Sequence, residues 1–488
     1  MGGARSRDLA AAITVAAAVV LVSYWKVVNA ETFMRLAIGR MTATEGLFVA
    51  HDPWIYSVPG LGWHNPEWLG DLVLYGVFRA GGEGALVSFK LVVLVVGWLL
   101  FYLWGRRAGG GPLVLAGLIL LALAGSEGRF MERNELHVYW LLPSYGLVLQ
   151  ASVRDRRWLL ALLPLGLLWA SLHGSFPAGW LLVGAALAEA LVGPRRDRRR
   201  ARDLAVVLAL HPLLPFISPD GIHAYDLLLD HYRYRQAIKS TIKEWVPPDL
   251  LPATLAALPL HLLGILALLS FLPRPNRAQV QGFVLVAAGL MMAHGALRMF
   301  LVFAMLAIPT VAANLRRAGE AMGEARVRLR TAAAAALLVG ALALAAQAAR
   351  AARLPQRAAE RADYPVRAGR WLAANAPPQS RLFGPYTGSQ MLMWEAPAVG
   401  LYIHPHFSFS SALLVRYVYQ LLPHPEQFEE EVRRLDINLA LVGMRDESGQ
   451  LVEHLANSRA WKRVYGDGMY AVFARRTPKN ARLLGVTE

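Results

Sequence analysis

Long apolar runs dominate this chain, and they decide its solvent before they decide its fold. A helix that crosses a bilayer needs about 20 mostly apolar residues. Eleven runs approach that length: 8–28, 84–105, 111–126, 136–152, 158–172, 176–193, 203–218, 251–272, 278–294, 297–314 and 331–349. Backbone groups in a bilayer must bond to one another, so such runs read as helices. The 488 residues are 56% hydrophobic and only 17% charged, against about 25% charged for a soluble domain. That balance excludes a disordered chain and disfavours an ordinary soluble enzyme. No Gly-X-Y period or heptad repeat points to a fibre. The first run follows Arg5 and Arg7, and Val28-Asn29-Ala30 resembles a signal-peptidase site. Ten further runs favour an uncleaved first span.

Basic residues orient the spans. With the N-terminus in the cytosol, the inner loops hold 20 basic residues and six acids, the outer loops ten basic residues and 14 acids. The net charge of +16 therefore lies in short inner loops and is no nucleic-acid footprint. Trp68 to Ala80 is apolar but too short to span, and counting it would place Arg106 and Arg107 outside. It reads as a helix in the outer interface. With no cysteine in the chain, disulfides and thiolate metal sites are excluded.

The expected architecture is mainly α: a polytopic membrane helix bundle of about 11 spans over 1–350, with a small extracytoplasmic α/β domain over 351–488. Two outer loops, 29–83 (carrying the interfacial helix 68–80) and 219–250, join that domain on the non-cytosolic side. In the C-terminal segment, 368–376 and 427–435 have a helical pattern, and 399–403, 439–442 and 469–473 read as strands.

The outer face collects the chemistry. Glu31 follows the first span, Asp52 sits in His51-Asp52-Pro53-Trp54, and Glu67 in Trp63-His64-Asn65-Pro66-Glu67-Trp68. Carboxylates facing a cavity at a membrane surface serve as general bases or hold a divalent cation; a single loop acid is otherwise simply solvated. Arg298 begins a late span, in His294-Gly295-Ala296-Leu297-Arg298. A guanidinium there either snorkels to the interface or grips a lipid phosphate bidentately. Arg133, Glu135, His173, Glu244 and Trp245 fall on the same face. Each is open to a structural role alone, but together they form a pocket-like pattern. No Walker A loop or dinucleotide fingerprint occurs, and charges are nearly missing from the spans.

In order along the chain, Glu31–Leu36, Asp52–Ser57, Trp63–Leu69, Leu172-His173-Gly174, Ser218–Gly221, Glu244-Trp245, Arg298 with its Arg-x-x-Leu/Val-Phe context, and Gly384–Ser389 form a pattern. It resembles the GT-C superfamily of integral membrane glycosyltransferases, and more narrowly bacterial proteins related to the dolichyl-phosphate-mannose protein mannosyltransferase group. The resemblance implies an enzyme of the bacterial cell envelope, in the inner (cytoplasmic) membrane. It would transfer a sugar from a polyprenyl-phosphate donor, with inversion, to a glycan, lipid or protein acceptor on the outer face. Glu31 would be the general base, with Asp52 as a second catalytic acid. Arg298, with His294, Arg133 and His173, would hold the donor phosphate, supported by Glu67, Glu135, Glu244 and Trp245. The resemblance also admits a divalent cation, Mg or Mn, with no certain ligand set. Membrane lipids, and a membrane protein partner, are further expected contacts; nucleic acid is not.

The chain departs from the pattern in three places. Glu31 stands where Asp is common, the acids Glu127, Glu132 and Glu135 are out of the order a metal pair would need, and Ile403-His404-Pro405-His406-Phe407 replaces an acidic-Gly-Arg segment. These motivate an alternative: a catalytically inactive scaffold or assembly subunit of the same fold, binding a partner through 351–488. An O-antigen polymerase or ligase ranks below both, because its large outer loop falls late in the chain. A transporter ranks lowest, because the spans lack polar groups and show no repeat.

Overall fold

Where apolar runs predict spans, the described residues form helices. The structure is a computed structural model that describes residues 2–24, 27, 29–126, 129–193, 196–226, 229, 233, 247, 258–272, 280–321, 364–406, 411–444 and 449–485. The chain divides into two units. The first comprises Met1–Lys26, Gly81–Tyr225 and Ile238–Leu354, the second Val27–Ala80, Asp226–Ala237 and Pro355–Glu488.

The first unit is helical. Its helices are Gly2–Ser23, the C-terminal part of Trp68–Arg107, Pro112–Ala124, Val138–Ala151, Leu162–Leu172, Pro177–Val192, Arg198–Leu210, Leu258–Leu269, Val280–Gly295 and Phe300–Ala321. Proline opens the helices at 112 and 177, where its missing N–H costs nothing. Gly2–Ser23 packs on Pro112–Ala124, and Val280–Gly295 packs on Phe300–Ala321 and Pro177–Val192.

The described residues carry helices of two lengths along the expected runs. Arg5–Ser23, Trp68–Arg107 and Leu297–Ala318 are long and apolar enough to cross a membrane, while Pro112–Ala124, Pro177–Val192, Leu258–Leu269 and Val280–Gly295 are shorter apolar helices. Two of the runs change helix type at one end. Arg156–Ala161 and His211–Ile217 are 3-10 turns at the ends of predicted runs, and such turns rise about 2.0 Å per residue rather than 1.5 Å. The run 331–349 lies outside the described residues, as does most of 219–250, including Glu244 and Trp245.

Trp68–Arg107 is two helices joined at a break. Gly81 and Gly82 leave helical geometry, and Gly82 has φ 62°, which glycine adopts without strain. The separate helix expected over 68–80 therefore ends at the glycine pair, where the two units divide.

The second unit joins Val27–Ala80 to the C-terminal residues. Ala30–Glu45, expected as part of a loop, is a helix. Its N-cap is Asn29, whose side chain accepts the N–H of Glu31 at 2.7 Å. Met34, Ala37, Ile38 and Met41 on one face share a core with Leu372, Leu392 and Leu439. The spacing 34, 37, 38, 41 is the apolar stripe of a helix. It is weakened to the eye by Arg35, Gly39 and Arg40.

The C-terminal sheet has the order β2-β1-β3-β5-β4, with β1 Arg381–Phe383, β2 Gly400–Leu401, β3 Leu439–Gly443, β4 Trp461–Gly466 and β5 Tyr470–Arg475. β1 lies parallel to β2 and β3, while β5 runs antiparallel to β3 and β4. β1 and β4 were not expected. β2 is only two residues long, and the segment around Ile55 extends it. Leu401 N–H donates to Trp54 O at 2.7 Å, and Tyr56 N–H donates to Leu401 O at 3.2 Å.

Gly39 lets Ala30–Glu45 approach the helix that starts at Trp68. A Cβ at residue 39 would collide with the Asp71 carbonyl and lie 2.7 Å from Tyr75 Cβ. Backbone cannot rotate away as a side chain can, so Gly39→Ala should destabilise the second unit by about 1–3 kcal/mol. A thermal melt of the purified variant against the parent protein measures this.

Candidate functional site

Two clusters of charge stand out, one in each unit. In the second unit the first turn of Ala30–Glu45 carries Glu31, and Arg35 follows one turn later on the same face. Arg35 is only 4% exposed yet meets three carboxylates. Its Nη2 lies 2.9 Å from Glu67 Oε2 and 3.4 Å from Glu31 Oε1, and its Nη1 lies 3.5 Å from Asp71 Oδ1. Asn65 orders the far side. Its amide donates to Asp71 Oδ2 at 2.9 Å, and its carbonyl accepts the Glu67 N–H at 3.3 Å. Glu67 and Asp71 are buried, whereas the Glu31 side chain keeps 25% exposure. Glu31 is therefore the accessible acid of the three. Tyr386, from the Gly384–Ser389 block, lies within electrostatic reach of it. Burial pushes the Tyr386 phenol well up, and the charge on Glu31 pushes it further.

Asp52, expected among the catalytic acids, is buried and committed elsewhere. Its Oδ1 accepts the N–H groups of Trp54 and Ile55 at 2.9 and 3.0 Å, and its Oδ2 lies 3.0 Å from His404 Nε2. His404 Nδ1 accepts the His406 N–H, so Nε2 bears the proton and donates it to Asp52. The His404–His406 segment, which departs from the expected pattern, thus serves as an anchor between residues 352 positions apart. The His406 ring stacks on Trp63 at 4.3 Å and 10°.

In the first unit three guanidinium groups converge on Glu135. Arg129 Nη2 lies 2.6 Å from it, Arg133 Nη2 3.3 Å and Arg298 Nη2 3.8 Å. Burial alone would push the Glu135 carboxyl up. The charges of Arg129, Arg133 and Arg298 outweigh burial and hold it well below the usual range, and His173 lies within electrostatic reach. His173 is oriented by Ser175, whose N–H donates to Nδ1 at 3.1 Å; that leaves Nε2 to bear the proton in the neutral ring. Glu135 is thus a carboxylate that all three guanidiniums share. Beside it in sequence, Glu132 pairs with Lys90 at 2.6 Å, both buried.

The structure therefore brings together Arg133, Glu135, His173 and Arg298, and separately Glu31 and Glu67. His294, expected with the phosphate-binding group, instead donates from Nδ1 to the Leu290 carbonyl at 3.0 Å, with its ring 6.3 Å from that of His261. Sequence reasoning gave no role to Asp71, Lys90 or Arg129, and met Arg35, Tyr386 and His404 only inside longer blocks. The four-residue step from Glu31 to Arg35 was the one local signal available.

A divalent cation does not fit these acids. Among the described residues, no group of three or more His, Asp or Glu side chains is placed to hold a metal ion. Glu31, Glu67 and Asp71 face Arg35, Glu132 faces Lys90, and Glu135 faces three arginines. Glu127 lies outside the described residues.

No protein-family model and no curated protein matches the chain. Solved structures do. The archaeal oligosaccharyltransferase AglB from Archaeoglobus fulgidus, in complex with an inhibitory peptide and a dolichol-phosphate, aligns with a TM-score of 0.59 at 13% identity, over 96% of this chain and 74% of that one. The A. fulgidus enzyme in complex with Zn and sulfate aligns at 0.57 and 14%, over 96% and 73%. ArnT from Cupriavidus metallidurans in the apo state aligns at 0.56 and 15%, over 99% of both chains. All are GT-C membrane glycosyltransferases. This chain has the GT-C fold. The GT-C likeness and three helices able to cross a membrane mark a membrane protein.

His406 gives a pH signature to the second unit. Burial pushes its ring well below the usual histidine value, Arg35 and His404 push the same way, Asp52 pulls against them, and His64 adds to the lowering. An unfolded chain binds a proton there near pH 6.5, and the folded chain does so only at lower pH. Stability is thus complete above about pH 6.5 and falls as pH drops below it. Melting temperatures measured from about pH 7 to pH 5 should decline, and His406→Gln should flatten that decline.

Proposed function

We propose that this chain is a glycosyltransferase that moves a sugar from a polyprenyl-phosphate donor to an acceptor at the outer face of the membrane. The observation that carries the reading is Glu31, an accessible carboxylate whose neighbouring acids are buried against the one arginine it shares with them. A carboxylate held this way and still reached by solvent is suited to accept a proton from an acceptor hydroxyl. The attacking oxygen then bonds the anomeric carbon from the face opposite the phosphate. The carbon–oxygen bond to phosphate breaks, its electron pair stays on phosphate, and the anomeric configuration inverts.

Arg298 and Arg133, with Arg129 now added, would hold the donor phosphate and stabilise the charge that develops on it as it leaves. His173, with Nε2 bearing the proton, would donate one more hydrogen bond. The dolichol-phosphate and inhibitory peptide bound by AglB support a lipid-linked donor and a separate acceptor. Asp52 is assigned a positioning role through His404 and the Trp54 backbone. The protein would sit in the inner membrane of a bacterial envelope, N-terminus in the cytosol and C-terminal residues outside, as the loop charges require.

The test is mass spectrometry of surface glycans and glycoproteins in a deletion strain, complemented with the parent gene, Glu31→Gln or Arg298→Met. Deletion should remove a discrete sugar, and only the parent should restore it. With purified protein, Glu31→Gln should lower transfer by about 10²–10⁴-fold without lowering the melting temperature. Restoration by Glu31→Gln would remove Glu31 as the base and favour the inactive scaffold.

A further inference from the structure

We propose that Arg35 is the resident cation of the acid cluster around Glu31, standing where a divalent metal would otherwise be held, and that transfer runs without such a metal. The guanidinium is 4% exposed and lies between Glu31, Glu67 and Asp71 at 2.9–3.5 Å. A small divalent ion needs several oxygens at about 2.0–2.1 Å in near-octahedral order. Here the facing oxygens are turned to nitrogen donors. Asp71 is claimed from both sides, one oxygen by Arg35 and the other by the Asn65 amide. Arginine stays charged at any working pH, so a metal entering this cluster would meet a fixed positive charge at contact distance.

The same arrangement recurs among the acids of the first unit. Glu132 is taken by Lys90 and Glu135 by three arginines. Glu31, Glu67, Asp71, Glu132 and Glu135 each already face a cation supplied by the chain. The arrangement also suits a base. A carboxylate ligated to a divalent ion has its lone pairs drawn into the metal bond, whereas Glu31 shares one guanidinium with two other acids and stays 25% exposed. This last point rests on reading Glu31 as the base; the pairing of Arg35 does not.

The experiment titrates Mn(II) into the full-length protein in detergent after chelator washing, and reads free Mn(II) by electron paramagnetic resonance. The parent protein and Arg35→Lys should take up no stoichiometric Mn(II). Arg35→Gln, which leaves three carboxylates without their cation, should gain one site, and that site should vanish when Asp71→Asn is added. Stoichiometric uptake by the parent protein that Glu31→Gln or Asp71→Asn abolishes would overturn the proposal. So would a folded Arg35→Gln that binds nothing. Should Arg35→Gln not fold, the parent and Arg35→Lys titrations decide. Sugar transfer, measured alongside, should have the same rate in EDTA as in Mn(II), and a rate recovered only with Mn(II) would also overturn it. Uptake is read on the protein itself, so it keeps its meaning even if no sugar transfer is found.

Discussion

The second unit depends on one buried guanidinium. Arg35 ties the first turns of Ala30–Glu45 to Glu67 and Asp71, at the start of the helix that runs from Trp68. Burying a charge is costly unless partners surround it, so three acids and Asn65 are drawn to one place. Gly39 clears the space for that approach. What results is a rigid floor of buried acids from which only Glu31 reaches solvent. Asp52 does comparable work beside it, spending its oxygens on two backbone N–H groups and His404.

The first unit solves the opposite problem. Arg129, Arg133 and Arg298 repel one another, and Glu135 offsets that repulsion by pairing with all three. The two clusters thus have opposite character: acids gathered around one arginine, and arginines gathered around one acid.

Much of this was legible in the residues. Apolar runs located most of the helices, and Arg133, Glu135, His173 and Arg298 were grouped by their common position at the outer ends of predicted spans. The helix at 30–45 was missed because Arg35, Gly39 and Arg40 interrupt a stripe that becomes apolar only once Arg35 is neutralised. Asp52 looked reactive because a loop acid next to proline and tryptophan gives no hint of a histidine 352 residues away. Lys90 lay inside an apolar run, and its partner Glu132 belonged to another segment, so neither announced the pair. Arg129 had no motif of its own. Local pattern reports periodicity and end signals; it cannot report which distant charge neutralises which.

The two-residue strand β2 has a consequence for how the protein is made. Its edge is completed by Trp54, Ile55 and Tyr56, and its neighbour His404 closes on Asp52. These partners are separated by nearly the whole intervening chain, so their pairing is of the most non-local kind, which slows folding. During synthesis the early segment must wait, with Trp54 and Trp63 uncovered, until residues beyond 400 emerge. A chain stopped short of that point would present an unpaired strand edge and exposed aromatic surface, the features by which quality control recognises an unfinished protein.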